Sequence, residues 1–256
     1  MPEQLRPAPP TPTAEKLTID PEAPKHIDNA GQEYFEVSYS PEDSMFLVRL
    51  LHGILPVSEI IAVEETHKWQ YYSHRTPVRE SEKTYSKAEI AADLAILGEI
   101  FGDKDRHEGG HNMQILEAAP GRWKVSYHDF EKFRNFSMSP RTEEDLNQIV
   151  AIKEENIRRL ASFQNQGEFL RALEDRLTTL EARIQGPEGV SFMQAVVHAI
   201  PRIPPVLGTA ERAPEEVLRA QIEKFQNALS ARIRVLRIAC ERIRNNPGTL
   251  EKPQEV

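Results

Sequence analysis

The residues best suited to chemistry lie between Asp103 and Phe130, in the stretch DKDRHEGGHNMQILEAAPGRWKVSYHDF. Asp105, Asn112 and Asp129 bring two carboxylates and one amide into this stretch. Oxygen ligands of this kind suit Mg²⁺, which proteins often bind together with nucleotide phosphates. A carboxylate that lies beside an attacking hydroxyl can also orient this hydroxyl for phosphoryl transfer. Asp105, Asn112 and Asp129 are therefore candidates for binding a metal ion or handling phosphate in phosphoryl transfer.

A short β-hairpin is predicted between the second and third of these residues. Met113–Leu116 and Trp123–Tyr127 have strand-like composition, and the Pro-Gly pair between them is a turn signal. The hairpin would return the chain, so that Asn112 and Asp129 converge on a shared cation.

The same stretch supports a second interpretation, a zinc site. His107, Glu108 and His111 fit the HExxH pattern, in which two histidines on one helix face bind zinc and the glutamate acts as general base. Both intervening residues are glycine, and each costs a helix about 1 kcal/mol relative to alanine. Candidates for a third ligand are His128, Asp129 and Glu131. A zinc hydrolase is therefore an alternative that requires 107–111 to be helical.

Strands and helices must position these residues. Alternating apolar residues and turn signals predict strands at 25–27, 33–39, 57–64 and 69–73. Pro41 begins a predicted helix that ends near Gly53, and Ser86 caps a second helix that reaches about Phe101. The motif thus follows a strand-rich region and one helix.

The chain after the motif has helical periodicity. Helices are predicted from Pro140 to about Gln185 with a break at Gly167, from Ser191 to Ile200, and from Pro214 to about Asn245. The apolar residues from Leu170 to Ile184 form a heptad-like seam. Such a seam can fold back on the chain or mediate self-association through helices, and periodicity does not choose between them.

Composition sets the domain organisation and the compartment. Residues 1–24 are rich in Pro, Glu and Thr and are predicted to be disordered, 25–140 to form the core with the hairpin, 141–246 the helical region and 247–256 a frayed tail. The net charge of −8 argues against nucleic acid as a partner, and no apolar run is long enough for a membrane span. One cysteine and the absence of an apolar leader favour a cytoplasmic protein. The predicted fold class is α+β.

The segment GDKDRHEGGHN followed by YHDFE resembles the GDRHxxN…DF pattern of HipA-like serine/threonine kinases and of phosphoinositide-type kinases. The resemblance implies a reduced kinase-like core with a small strand-rich N-terminal lobe, and ATP and Mg²⁺ as cofactors. By this match Asp105 is the catalytic residue, and Asn112 and Asp129 are the metal ligands. The acceptor would be a hydroxyl on a protein or a small molecule.

The chain departs from that pattern in three places. Asn112 lies seven residues after Asp105, whereas kinase catalytic loops place the asparagine about five residues after the aspartate. No glycine-rich phosphate loop is present, and residues 34–38 carry no lysine, so that Lys25 is the nearest candidate. These departures leave open a catalytically inactive kinase-like protein that acts as a binding or regulatory module.

Overall fold

A computed structural model describes residues 17–19, 25–28, 33–37, 40–65, 68–74, 81–103, 112–128, 130, 143–162, 165–185, 188–207 and 214–246. Strands dominate the N-terminal half and helices the C-terminal half, so the predicted α+β class is confirmed. The helical C-terminal region predicted from periodicity is also present.

The larger sheet has five strands, all antiparallel to their neighbours. They are β1 (Leu17–Ile19), β2 (Lys25–Asp28), β3 (Glu33–Glu36), β4 (Glu59–Glu65) and β5 (Lys68–His74), in the order β1-β2-β3-β5-β4. Strand β1 lies inside the segment 1–24 that was predicted to be disordered. Its backbone pairs with β2, Thr18 opposite Ile27, and this ladder provides order that composition alone did not indicate.

Helix α1 (Pro41–Leu51) connects β3 to β4 and is buried on all sides. Pro41 begins the helix, as its fixed backbone angle favours, and Gly53 follows its end with a left-handed φ of 76°. Every residue from Asp43 to Leu51 is buried. A helix that is apolar nearly all round has to be enclosed, and this one lies between the sheet and the C-terminal helices.

Helix α2 (Lys87–Ala95) leads to the central motif. Ser86 and Glu89 form a reciprocal capping box at its start. The helix continues as a π-helical turn (Ile96–Ile100) and ends at Gly102, whose φ is 76°. The backbone N–H of Asp103 donates to the carbonyl of Leu97 at 3.0 Å and closes this widened turn. Residues 104–111, which follow, lie outside the described part of the chain.

The predicted hairpin is confirmed, with β6 (Met113–Ala119) and β7 (Arg122–Tyr127) joined by a turn at Gly121. The other edge of β7 is also paired. Trp123 exchanges two backbone hydrogen bonds with Tyr85, at 2.7 and 2.8 Å. The hairpin is therefore attached to the segment that precedes α2.

The C-terminal region consists of α3 (Glu143–Ser162), α4 (Gln166–Gln185), α5 (Gly189–His198), a 3₁₀ turn (Pro205–Leu207) and α6 (Glu215–Asn245). The helical stretch predicted from 140 to 185, with a break at Gly167, is two helices. The break precedes Gly167, because the Asn165 side chain accepts a hydrogen bond from the Glu168 backbone at 3.2 Å and caps α4.

The heptad-like seam of α4 is buried within the chain, where α4 packs against α2, α5 and α6. Ion pairs join α6 to α4, among them Arg237 with Glu181 at 2.7 Å and Arg244 with Glu174. Sheet, hairpin and helices share one hydrophobic core. No helix in the described ranges combines the length and the apolar character that crossing a bilayer requires.

Candidate functional site

The open end of the hairpin brings Asn112 opposite His128. The strand pair Met113–Tyr127 is followed by a hydrogen bond from the His128 backbone N–H to the Asn112 carbonyl, at 3.1 Å. Asn112 is half-buried and His128 is buried. Since Asp129 is the next residue in the chain, the backbone of Asn112 lies beside the residue that precedes Asp129.

Several residues singled out in the sequence lie outside the described residues. They include Asp105 and Asp129 and the whole candidate zinc motif, His107, Glu108 and His111. Of the three predicted phosphotransfer residues, Asn112 is thus the one that the structure places. Within the described ranges, no group of three or more His, Cys, Asp or Glu side chains is arranged to hold a metal ion.

The chain that leads into Asp129 is fixed at Tyr127. The Tyr127 backbone N–H donates to the Pro56 carbonyl, and its carbonyl accepts from the Ser58 N–H, both at 2.7 Å. Ser58 Oγ also lies 2.9 Å from Ser126 Oγ. The C-terminal end of β7 is therefore held by the segment between α1 and β4 as well as by β6.

The chain that leaves Asp129 is fixed at Phe130. The Phe130 side chain is 1% exposed and lies in the main core. Its backbone carbonyl accepts a hydrogen bond from Ser44 Oγ of α1 at 3.3 Å. Both neighbours of Asp129 are thus held, one by the hairpin and the other by α1.

A buried polar network lies beneath the hairpin end. Asp93 of α2 is 0% exposed, its Oδ1 accepts from Arg176 Nε of α4 at 2.9 Å, and its Oδ2 accepts from the Tyr127 hydroxyl at 3.4 Å. Burial raises the pKa of the Asp93 carboxyl to about 6, against the opposing effects of Arg176 and Tyr127. The network links β7 to two helices through one carboxylate.

Two of the residues that hold the candidate site, Ser44 and Asp93, were not predicted from the sequence, although the sequence pattern around them carries a signal. Ser44 and Asp93 are polar residues at positions where their helices are otherwise apolar, in SMFLV and AADLA. Buried polar side chains are usually hydrogen-bonded, so each position predicts a partner in the fold. For Ser44 and for Asp93 that partner, Phe130 and Arg176 respectively, lies more than 80 residues away in the chain.

The N-terminal sheet places Lys25 beside the strand that lacks a lysine. Strand β3 has the sequence EYFE, and Lys25 of β2 pairs with Phe35 across the ladder.

On α1, Glu42 accepts a hydrogen bond from the Tyr71 hydroxyl of β5 at 3.3 Å. Burial and the Glu42 carboxylate raise the pKa of the Tyr71 phenol well above its usual value.

Comparisons with protein-family models, curated proteins and solved structures gave no match for this chain.

Proposed function

We propose that this chain is a kinase-like, ATP- and Mg²⁺-dependent phosphotransferase acting on a hydroxyl of a protein or a small molecule. The observation that carries the proposal is the pairing of Asn112 with His128 at the open end of the β6–β7 hairpin. This pairing supports an arrangement in which the Asn112 amide and the Asp129 carboxylate reach one cation.

The order of elements supports the same proposal. A five-stranded antiparallel sheet with a helix between β3 and β4 comes first. Helix α2, the segment that contains Asp105, the hairpin and then Asp129 follow. This is the layout that the resemblance to HipA-like and phosphoinositide-type kinases implies. The burial of the Phe130 side chain in the core and the hydrogen bond of its carbonyl with Ser44 of α1 add support, because the packing of the phenylalanine after the metal-binding aspartate is a functional feature of kinases.

Each residue has a separate role in the proposed reaction. Asp105 accepts a hydrogen bond from the acceptor hydroxyl and aligns it with the terminal phosphate of ATP. Asn112 and Asp129 supply oxygen ligands to Mg²⁺. Mg²⁺ held by these two residues would supply charge neutralisation to the phosphates. The proposal therefore separates residues that hold the nucleotide complex from the one that acts on the acceptor.

Calorimetry with ATP in the presence of Mg²⁺ and of EDTA tests the binding half of the proposal. The expected result is Mg²⁺-dependent binding that is weakened in Asp129→Asn and unchanged in Asp175→Asn, the same substitution on the outer face of α4. Absence of Mg²⁺-dependent binding to the wild-type protein would refute the proposal. Stoichiometric zinc in the purified protein would instead favour the hydrolase interpretation with His107, Glu108 and His111.

A non-catalytic kinase-like binding module is the second candidate. It is favoured by the lack of a lysine on β3 and by the longer separation between Asp105 and Asn112. Assays of ATP turnover and autophosphorylation distinguish the two. An active enzyme should lose phosphate transfer in Asp105→Asn while retaining Mg²⁺–ATP binding. A wild-type protein that binds Mg²⁺–ATP without any transfer would support the binding module.

A further inference from the structure

Helix α1 is held at both of its ends by the C-terminal helical region. At its first turn, Asp43 Oδ1 accepts a hydrogen bond from the Val206 backbone N–H at 2.8 Å. Val206 belongs to the 3₁₀ turn between α5 and α6. The contact joins residues that are 163 positions apart in the chain. The start of α1 is therefore fixed by a segment outside the sheet to which α1 is connected.

The last turn of α1 is capped by an arginine of α4. Arg183 Nη1 donates to the carbonyls of Leu50 and His52, at 2.7 Å each. The carbonyls at a helix C-terminus have no partners inside the helix. A cationic donor satisfies them and also interacts favourably with the negative end of the helix dipole. The same guanidinium lies 5.5 Å from the centre of the Phe192 ring of α5. One side chain thus connects α1 to α4 and α5.

Apolar packing joins the middle of α1 to α6. The rings of Phe46 and Phe225 meet edge to face with centroids 5.3 Å apart. Both side chains are buried, Phe46 completely. Helices α4, α5 and α6 therefore all contact α1, and its position depends on the C-terminal region.

Ser44 carries this dependence to the candidate site. It lies one residue after Asp43, is completely buried, and donates to the Phe130 carbonyl directly after Asp129. We infer that the C-terminal helical region is a built-in clamp on α1 that sets the position of Phe130, the residue after Asp129, through Ser44. The metal-ligand role of Asp129 rests on the proposed function, whereas the mechanical coupling does not. Arg183 and Ser44 are the positioning residues of this clamp.

Two matched pairs of variants in the full-length chain test the clamp. Arg183→Gln removes the cap on α1, and Arg237→Gln removes an arginine that joins α6 to Thr178 and Glu181 of α4 without contacting α1. Ser44→Ala removes the link to Phe130, and Ser230→Ala makes the same change on α6, where the hydroxyl donates to the Gln226 carbonyl and accepts from Gln185 of α4. The second pair keeps the test available if Arg183→Gln does not fold.

Two measurements are made on each variant. Hydrogen exchange followed by mass spectrometry reports the protection of the His128 amide, which donates to Asn112 at the hairpin end. Calorimetry reports the affinity for Mg²⁺–ATP. We expect Arg183→Gln and Ser44→Ala to speed exchange at 126–130 and to weaken Mg²⁺–ATP binding about fivefold or more, the lower end of typical coupling between separate sites. The two control variants should leave both quantities at the wild-type values.

The outcomes separate the clamp from the proposed function. The clamp would be overturned if hydrogen exchange at 126–130 changed equally in the test and control variants. It would also be overturned if exchange there changed in none of them. Faster exchange in the test variants of a protein that does not bind Mg²⁺–ATP would support the clamp and refute the proposed function. Unchanged Mg²⁺–ATP affinity in both test variants, in a protein that binds it, would overturn the coupling of the clamp to the proposed metal site.

Discussion

The buried carboxylate of Asp93 should make the unfolding free energy depend on pH in a direction opposite to that of an ordinary surface acid. Its pKa is raised from 3.8 to about 6 because burial disfavours the charged form more than Arg176 and Tyr127 stabilise it. The folded chain then binds this proton more tightly than the unfolded chain does. The stabilisation is complete below pH 3.8 and is lost as the pH rises through about 6.

The size of the effect follows from the two pKa values. A difference of one pKa unit corresponds to about 1.4 kcal/mol, so the change from 3.8 to about 6 amounts to about 3 kcal/mol over the whole window. Part of this stabilisation is already lost at pH 4. The contribution of Asp93 to the unfolding free energy should therefore fall by about 2 kcal/mol between pH 4 and pH 7.5. Asp43, whose pKa is likewise raised by burial to about 6, acts in the same direction, so a variant is needed to isolate Asp93.

Urea unfolding of wild type and Asp93→Asn at pH 4 and pH 7.5 makes the comparison. Between these pH values, the wild type should lose about 2 kcal/mol more unfolding free energy than Asp93→Asn does. Asp175→Asn, on an exposed position of α4, should keep the pH dependence of the wild type. The same pH dependence in wild type and Asp93→Asn would refute the reasoning, as would a wild type that gains more stability than the variant on raising the pH.

Three further predictions concern packing. Gly189→Ala should lower the unfolding free energy by more than about 2 kcal/mol in urea melts, because its Cβ would lie 2.3 Å from the Ile184 carbonyl oxygen. In the same melts, Gly167→Ala, with its nearest neighbour at 3.6 Å in the first turn of α4, should instead raise it by up to about 1 kcal/mol, and equal effects would contradict the packing argument. Cys240 should stay unmodified by a thiol reagent until the protein unfolds, since burial raises the pKa of its thiol to about 12, and rapid labelling of folded protein would argue against this. Phe130→Ala should cost about 3–5 kcal/mol in thermal or urea unfolding, and a loss below about 1 kcal/mol would mean that this side chain is not in the core.

Local signals in the sequence predicted most elements of the fold. Pro41, the Ser86 cap and the Pro-Gly turn of the hairpin each act within a few residues, and helices and strands occur where they indicate. The break predicted at Gly167 falls slightly earlier in the chain, at Asn165, which supplies the cap of α4. A glycine in the first turn of a helix does not end it.

Long-range pairing explains what the sequence did not predict. Strand β1 is ordered by pairing with β2, which the composition of residues 1–24 does not encode. The π-helical turn before Asp103 has no distinct residue signal. Partners of Asp93 and Arg183 lie 83 and 133 residues away, so only the folded chain pairs them. The hairpin of the candidate site was predictable because its strands are adjacent in sequence.

The most direct measurement of the central claim is a double-mutant cycle on Mg²⁺–ATP affinity with Asn112→Ala, Asp129→Asn and the double variant. If both side chains bind one cation, either single change should remove most of the Mg²⁺-dependent affinity, and the double variant should lose little more. Losses in the two single variants that add fully in the double variant, or a wild-type level of binding in Asp129→Asn, would contradict the shared metal site.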